Sequence, residues 1–304
     1  MRRWAINSNE FAGFIAIDKP AGISSFDVIR RLRKLTHIRK IGHCGTLDPF
    51  ATGLLVCCIG SFTRLAQFVE QESKTYSATI KLGKATVTGD TEAEVSSISP
   101  VPEPRISTKE LETLALCLKE LPVPAYSAVK INGNRAYNLA RAGIEVSIPL
   151  RPVSILSFQV LSNNPESMFD ADYKLSYRCT VSKGTYIRSL SEWLALNLGT
   201  IGHTVQLRRE AIGNITLEDA VELRVLTEDN WQQYILSPQK ALSAYPSQVL
   251  TDEAVKKVKH GMDLVVSTPT GCSNSEVVLY NNMNQPVAIG LIQNNIVHPH
   301  IVLV

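Results

Sequence analysis

Apolar positions along the chain recur with two periods. Val28, Leu32 and Leu35 fall at i, i+4 and i+7 behind Ser24, and Asp27 completes a capping box with that serine. This predicts a helix whose other positions, Arg30, Arg31, Arg33 and Lys34, lie mostly off the apolar stripe. Ser107 with Glu110 opens a second series, Leu111, Leu114, Ala115 and Leu118, which Pro122 stops. Thr216 with Asp219 opens a third, Ser237-Pro238 marks a fourth start, and a helix from Tyr186 to Leu198 follows the turn at Gly184. Short β-branched or aromatic runs predict strands at Phe14–Ile17, Leu54–Ile59, Tyr76–Leu82, Val153–Val160 and Tyr173–Val181. In the last of these Leu175, Tyr177, Cys179 and Val181 share one face.

After Tyr245-Pro246-Ser247 the pattern changes. One short helix, Thr251–His260, ends at Gly261, and strands at Val277–Tyr280, Val287–Ile292 and Ile296–Val304 are separated by Asn-rich turns. Residues 247–304 are therefore expected to form a small β domain behind a main domain of residues 1–246. Helices and strands intermix without a regular β-α-β alternation or a glycine-rich nucleotide fingerprint, which gives an α+β class and not a doubly wound one.

Length agrees with that division, since 304 residues at roughly 150 per domain give two. With 44% hydrophobic and 19% charged residues the chain is ordinary globular protein, and disordered or collagenous classes are excluded. The longest glycine-bounded apolar run, Leu54–Ile59, is far short of the ~20 residues of a membrane span. Residues 1–10 have no apolar stretch behind their cations, so neither insertion nor secretion is expected. Cysteines 44, 57, 58, 117, 179 and 272 form no Cys-x-x-Cys pair and the histidines no His-Glu-x-x-His, so reduced cytoplasmic thiols and no metal are expected. A net charge of +3 names no partner, but its distribution does more: Arg30–Lys40 holds six Lys/Arg and no acid.

Two segments carry candidate chemistry. Gly42–Gly53 packs three glycines, a proline and two threonines around Asp48, a tightly specified loop. Asp48 precedes Pro49, which holds it extended and removes a local amide donor; the carboxylate is either left available for chemistry or caps a helix starting at Pro49. Cys44 reads as a packing residue. In Ser182–Arg188 a strand turns through Gly184 into a helix, and Arg188 in its first turn opposes the helix dipole unless an anion compensates; Asp48 is the candidate. Lys74-Thr75-Tyr76 begins a strand with Tyr76 as a core aromatic. Asp170-Ala171-Asp172 offers no third ligand and no phosphate-binding glycines.

Four blocks in order carry a resemblance: Asp18-Lys19-Pro20-x-Gly22-x-Ser24-Ser25, the Gly42–Gly53 loop, Pro124-Ala125-Tyr126-Ser127-Ala128-Val129-Lys130, and Ser182–Arg188. Over Gly13 to about Tyr245 the chain resembles the TruB-type tRNA pseudouridine synthases, which isomerise the T-loop uridine at tRNA position 55. The resemblance implies a pseudouridine-synthase-like mixed, largely antiparallel sheet with flanking helices, followed by a PUA-like lobe. It implies that Asp48 is the nucleophile, that Arg188 pairs with it, that Tyr76 meets the target base and that His43 helps hold the splayed T loop. Further substrate contacts are expected from Lys19, Tyr186, Lys130 and Arg141, and phosphate contacts from Arg30, Arg33 and Lys34. Lys130, Arg135, Arg141 and Arg151 against Glu145 make residues 122–151 a basic, RNA-gripping insertion. Val87 and Ala93 depart from the family pattern after Tyr76.

The implied reaction breaks the N1–C1′ bond, rotates the freed uracil and rejoins it through C5, with no redox change. No cofactor is expected, tRNA is the partner, and a cytoplasmic monomer without an obligate protein partner suffices. A flipped base must enter a pocket that excludes water. The alternative is a non-catalytic tRNA-binding and refolding chaperone using the same surface. A carboxylate-dependent nucleoside hydrolase is weaker, because no second carboxylate is identifiable as its general acid.

Overall fold

A computed structural model of the protein describes residues 11–127, 129–131, 134–136, 149–161, 168–170, 172–265 and 275–303. These fall into two compact units, one comprising Asp48–Gly53 and Ser73–Ala211, the other the residues up to Leu47, Leu54–Glu72 and those from Ile212 on.

In the first of these, strands Ile155–Leu161, Lys174–Val181, Lys74–Leu82 and Gly202–Ile212 lie side by side in that order. The first three are antiparallel, with Phe158, Cys179 and Tyr76 in register. The expected alternation holds: Leu175, Tyr177, Cys179 and Val181 are all buried. Tyr177 stacks on Phe158 at 5.1 Å and shares a 2.8 Å hydrogen bond with Ser191 Oγ, fastening the Ile187–Asn197 helix to the sheet. The eleven-residue strand Gly202–Ile212 has no counterpart in the apolar pattern, because Gln206, Arg208, Arg209 and Glu210 interrupt it. Arg209 is nevertheless buried, and Arg208 and Arg209 pair in parallel with Thr52 and Gly53. The helix after Ser107 has its capping box but stops at Cys117; Leu114 faces outward, and Pro122 belongs instead to a short strand, Glu120–Pro122, paired with Leu150–Pro152.

In the other unit, strand Gly13–Lys19 pairs in parallel with Val221–Glu222 and antiparallel with Ile235–Leu236. Ile41–His43 runs antiparallel to Cys57–Ile59. The Ser25–Thr36 helix starts on the predicted capping box, buries Val28, Ile29 and Leu32, and ends at His37 with a left-handed φ of 59°. Two predicted starts yield little: Thr216 with Asp219 caps only a 3-10 turn, Leu217–Asp219, and Ser237-Pro238 a helix of four residues.

The C-terminal sheet has the order Ser247–Val249, Glu276–Tyr280, Pro286–Gln293, Ile296–Val302, Leu264–Val265. One face, Val278, Tyr280, Ile289 and Ile301, shares a core with Phe14, Leu54, Val56 and Phe62. The opposite face, Val277, Leu279, Ala288 and Val297, packs with Val258 of the Asp252–Lys259 helix. Burial on both faces explains why these strands read as continuous apolar runs. Tyr280 lies in the shared core, so Tyr280→Ala is expected to cost about 3–5 kcal/mol, read as a lowered urea midpoint with unchanged m.

Candidate active site

The loop around Asp48 is shaped by glycine, and the residue before it is held by a buried hydroxyl. Ser25 Oγ accepts from the Leu47 amide at 2.8 Å and lies 3.0 Å from the Leu47 carbonyl, fixing the residue before Asp48. Gly53 has φ +101°, and a Cβ there would collide with the Arg209 carbonyl, so only glycine lets the loop re-enter the sheet. No helix begins at Pro49. The capping alternative for Asp48 is thereby overturned. Cys44 is buried within the apolar core, as a packing residue.

Arg188 is delivered by the turn at Gly184, whose φ is +83°, and by the helix that begins one residue before it. Its guanidinium meets Asp48 side-on, Nε to Oδ2 at 3.0 Å and Nη2 to Oδ1 at 3.4 Å. Nη1 reaches the Thr88 carbonyl at 2.7 Å and Asp90 Oδ2 at 3.2 Å, and Nη2 donates to the Tyr126 carbonyl at 3.1 Å. Five oxygens thus surround a group with five N–H donors, which leaves it no rotational freedom. The Arg188 side chain is 6% exposed and that of Asp90 2%, whereas that of Asp48 is 33% exposed. The buried cation therefore clamps an open carboxylate. Its position against the helix dipole is answered by two anions.

Asp90 has no place in the sequence reading. Its Oδ1 accepts from Thr88 Oγ1 at 2.6 Å and the Glu92 amide at 2.9 Å, and its carbonyl accepts from Thr86 Oγ1 at 2.7 Å. No local pattern marks it: it is an acid after a glycine, in the turn that follows the strand Lys84–Thr86. Gly89, with φ +71°, lies directly against the Glu192 carboxylate.

Four acids consequently cluster around one guanidinium. Burial, then Asp90 and Asp48, push the Glu92 carboxyl above its ordinary range. Burial also raises Glu192, with Arg188 opposing and Asp90 adding to the shift. A carboxyl raised in the folded state binds protons there that the unfolded chain has released, so its destabilising effect is absent below the unfolded pKa and grows as pH rises through the folded one. Glu192→Gln is expected to stabilise the protein at pH 7 and to confer no gain near pH 4, as measured by urea melts at the two values.

Tyr76 is 8% exposed on its strand, and Tyr186 is half-buried as the residue preceding the Arg188 helix. These two, Asp48 and Arg188 belong to one unit. The other unit holds His43, half-buried opposite Cys57, and the basic helix, with Arg30 bound to Asp27, Arg33 Nη2 donating to the Ile41 carbonyl at 3.2 Å, and Lys34 exposed. Lys19 requires correction as a substrate contact. It is fully buried, and its ammonium donates to the carbonyls of Pro20 at 2.9 Å and Ile23 at 2.7 Å, so it braces that turn. Lys130 lies in a strand paired at Arg135, and Arg141 lies outside the described residues. Asp170 Oδ1 accepts from the amides of Asp172 and Lys174, an ordinary turn. Among the described residues no group of three or more His, Cys, Asp or Glu is placed to hold a metal ion.

Residues 33–187 match the model of the TruB family pseudouridylate synthase N-terminal domain. The tRNA pseudouridine synthase B of Bacillus cytotoxicus is 39% identical over 261 residues, covering 83% of this chain and 84% of the relative. That of Clostridium kluyveri is 37% identical over 253 residues, covering 83% and 85%. Among solved structures, the archaeal box H/ACA sRNP Nop10-Cbf5 complex matches with a TM-score of 0.70 at 22% identity, covering all of this chain and 89% of that one. A Cbf5-Nop10-Gar1 complex matches with a TM-score of 0.71 at 23% identity, covering all of this chain and 88% of that one; both show the same fold. With the family's N-terminal domain matched and more than four-fifths of the sequence aligned to such relatives, the chain belongs to the TruB family of pseudouridylate synthases.

Proposed function

We propose that this protein converts uridine 55 in the T loop of tRNA to pseudouridine, with Asp48 as the nucleophile. The observation that carries the reading is the open carboxylate of Asp48 clamped side-on by a buried, fully engaged Arg188. Glycosidic cleavage needs an ionised group in fixed orientation beside the sugar and base, and each route open to it, attack on C1′, addition to C6 or removal of a sugar proton, starts from that carboxylate. The N1–C1′ bond breaks, the uracil turns, C5 bonds to C1′, and the proton lost from C5 is balanced by one gained at N1. Tyr76 lies against the flipped base, and Tyr186 and His43 contact the T loop. Lys130, Arg141 and the 122–151 insertion grip the stem together with Arg30, Arg33 and Lys34, while residues 247–304 add RNA contacts. The protein acts as a cytoplasmic monomer with no cofactor.

The test is an unmodified tRNA transcript incubated with the protein in chelator and analysed for pseudouridine by position. Conversion at 55, absent when that position is cytidine, is the expected result. Binding and refolding of the transcript without conversion would favour the chaperone reading.

A further inference from the structure

Phe26 is the second residue of the Ser25–Thr36 helix and is 55% exposed, although Val28, Ile29 and Leu32 on the same helix are buried. A lone exposed phenylalanine is ordinary. Two arginines on one such ring are not. Arg30 and Arg33 place their Cζ atoms 5.9 and 5.6 Å from the ring centroid. Each guanidinium is tethered: Arg30 by the Asp27 carboxylate, Arg33 by the Ile41 carbonyl at 3.2 Å. Asp27 is itself fixed by the capping box, Oδ2 accepting from the Ser24 amide at 2.9 Å and the Ser24 hydroxyl at 2.6 Å. Those Ser24 bonds, with Arg30 adding to them, hold its carboxyl at about 2, so the tether persists at every physiological pH. Arg31, Lys34, Arg39 and Lys40 are exposed around this cluster, and Asp27 is the sole acid from Phe26 to Lys40.

We propose that Phe26, Arg30 and Arg33 form a stacking subsite for one unpaired nucleobase of the RNA substrate, with the surrounding cations taking the flanking phosphates. A base has a flat π face for the ring and the guanidinium planes, and its backbone brings negative charge to the four exposed cations Arg31, Lys34, Arg39 and Lys40. An acidic polypeptide would satisfy the charge but leave the ring without a planar partner. The proposal rests on the RNA-modifying reading above and adds a contact remote in chemistry from the Asp48 site.

Phe26→Leu removes the π face and keeps apolar bulk, and Phe26→Trp keeps a stacking surface. Affinity for unmodified tRNA is expected to fall about tenfold in the first and stay within about twofold in the second. The slope of log K against log salt stays unchanged in both, whereas Lys34→Gln, at one of the surrounding cations, makes it shallower by about one. Heparin, a polyanion without bases, is expected to bind wild type and Phe26→Leu alike. Unchanged tRNA affinity in Phe26→Leu, or equal losses for tRNA and heparin, overturns the subsite. Absence of pseudouridine from the wild-type reaction, with the Phe26→Leu affinity loss intact, would instead sink the isomerase reading and leave the subsite standing.

Discussion

Asp48→Asn is expected to slow single-turnover pseudouridine formation on the order of 10⁴-fold or more, while tRNA affinity stays within a few-fold of wild type. The amide matches the carboxylate in size, and its oxygen can still accept from Arg188 Nε, so the loop shaped by Gly53 keeps its conformation. What disappears is the negative charge from which each of the proposed routes to glycosidic cleavage starts. The substitution also discriminates between functions, because a refolding chaperone needs the surface and not the nucleophile. Rapid-quench measurement of pseudouridine at saturating enzyme, alongside filter binding, provides the comparison. Near-normal isomerisation would remove Asp48 from the mechanism.

The Asp48–Arg188 pair was legible in the sequence because each residue is anomalous where it stands: an acid before proline in a glycine-rich loop, and a cation in the first turn of a helix. Asp90 carries no such mark. It is an acid after a glycine, like many surface turns, and only the packing of its turn buries it to 2% beneath Arg188. Lys19 fails in the opposite sense, since nothing local distinguishes a lysine that caps two carbonyls from one that meets solvent. Capping boxes behaved similarly. The same chemistry at Ser24 and at Thr216 starts a twelve-residue helix in one case and a three-residue turn in the other. A cap satisfies the first amides, but an apolar stripe such as Val28, Ile29 and Leu32 is needed to continue the helix, and tertiary burial decides whether it has somewhere to pack. The strand Gly202–Ile212 shows the converse, a polar run held in a sheet by neighbours the local pattern cannot reveal.

Arg188→Lys is expected to slow the chemical step about 10²–10³-fold with little change in tRNA affinity. An ammonium supplies three donors from one point, whereas the guanidinium spreads contacts over both Asp48 oxygens, Asp90 and two carbonyls. Lysine can hold one carboxylate or the other but cannot fix the plane of Asp48. Complete removal is a different experiment: Arg188→Ala leaves Asp90 buried without its cation, with an expected cost of about 3–5 kcal/mol, so lost activity there would mix unfolding with chemistry. The lysine variant avoids that ambiguity. Combined with Asp48→Asn it is expected to be no slower than Asp48→Asn alone, since on the proposed mechanism the arginine acts through the carboxylate it orients. Additive losses in the double variant would mean that Arg188 serves the reaction independently, through Asp90 or by contact with the substrate. A silent Arg188→Lys would show that Asp48 needs no clamp.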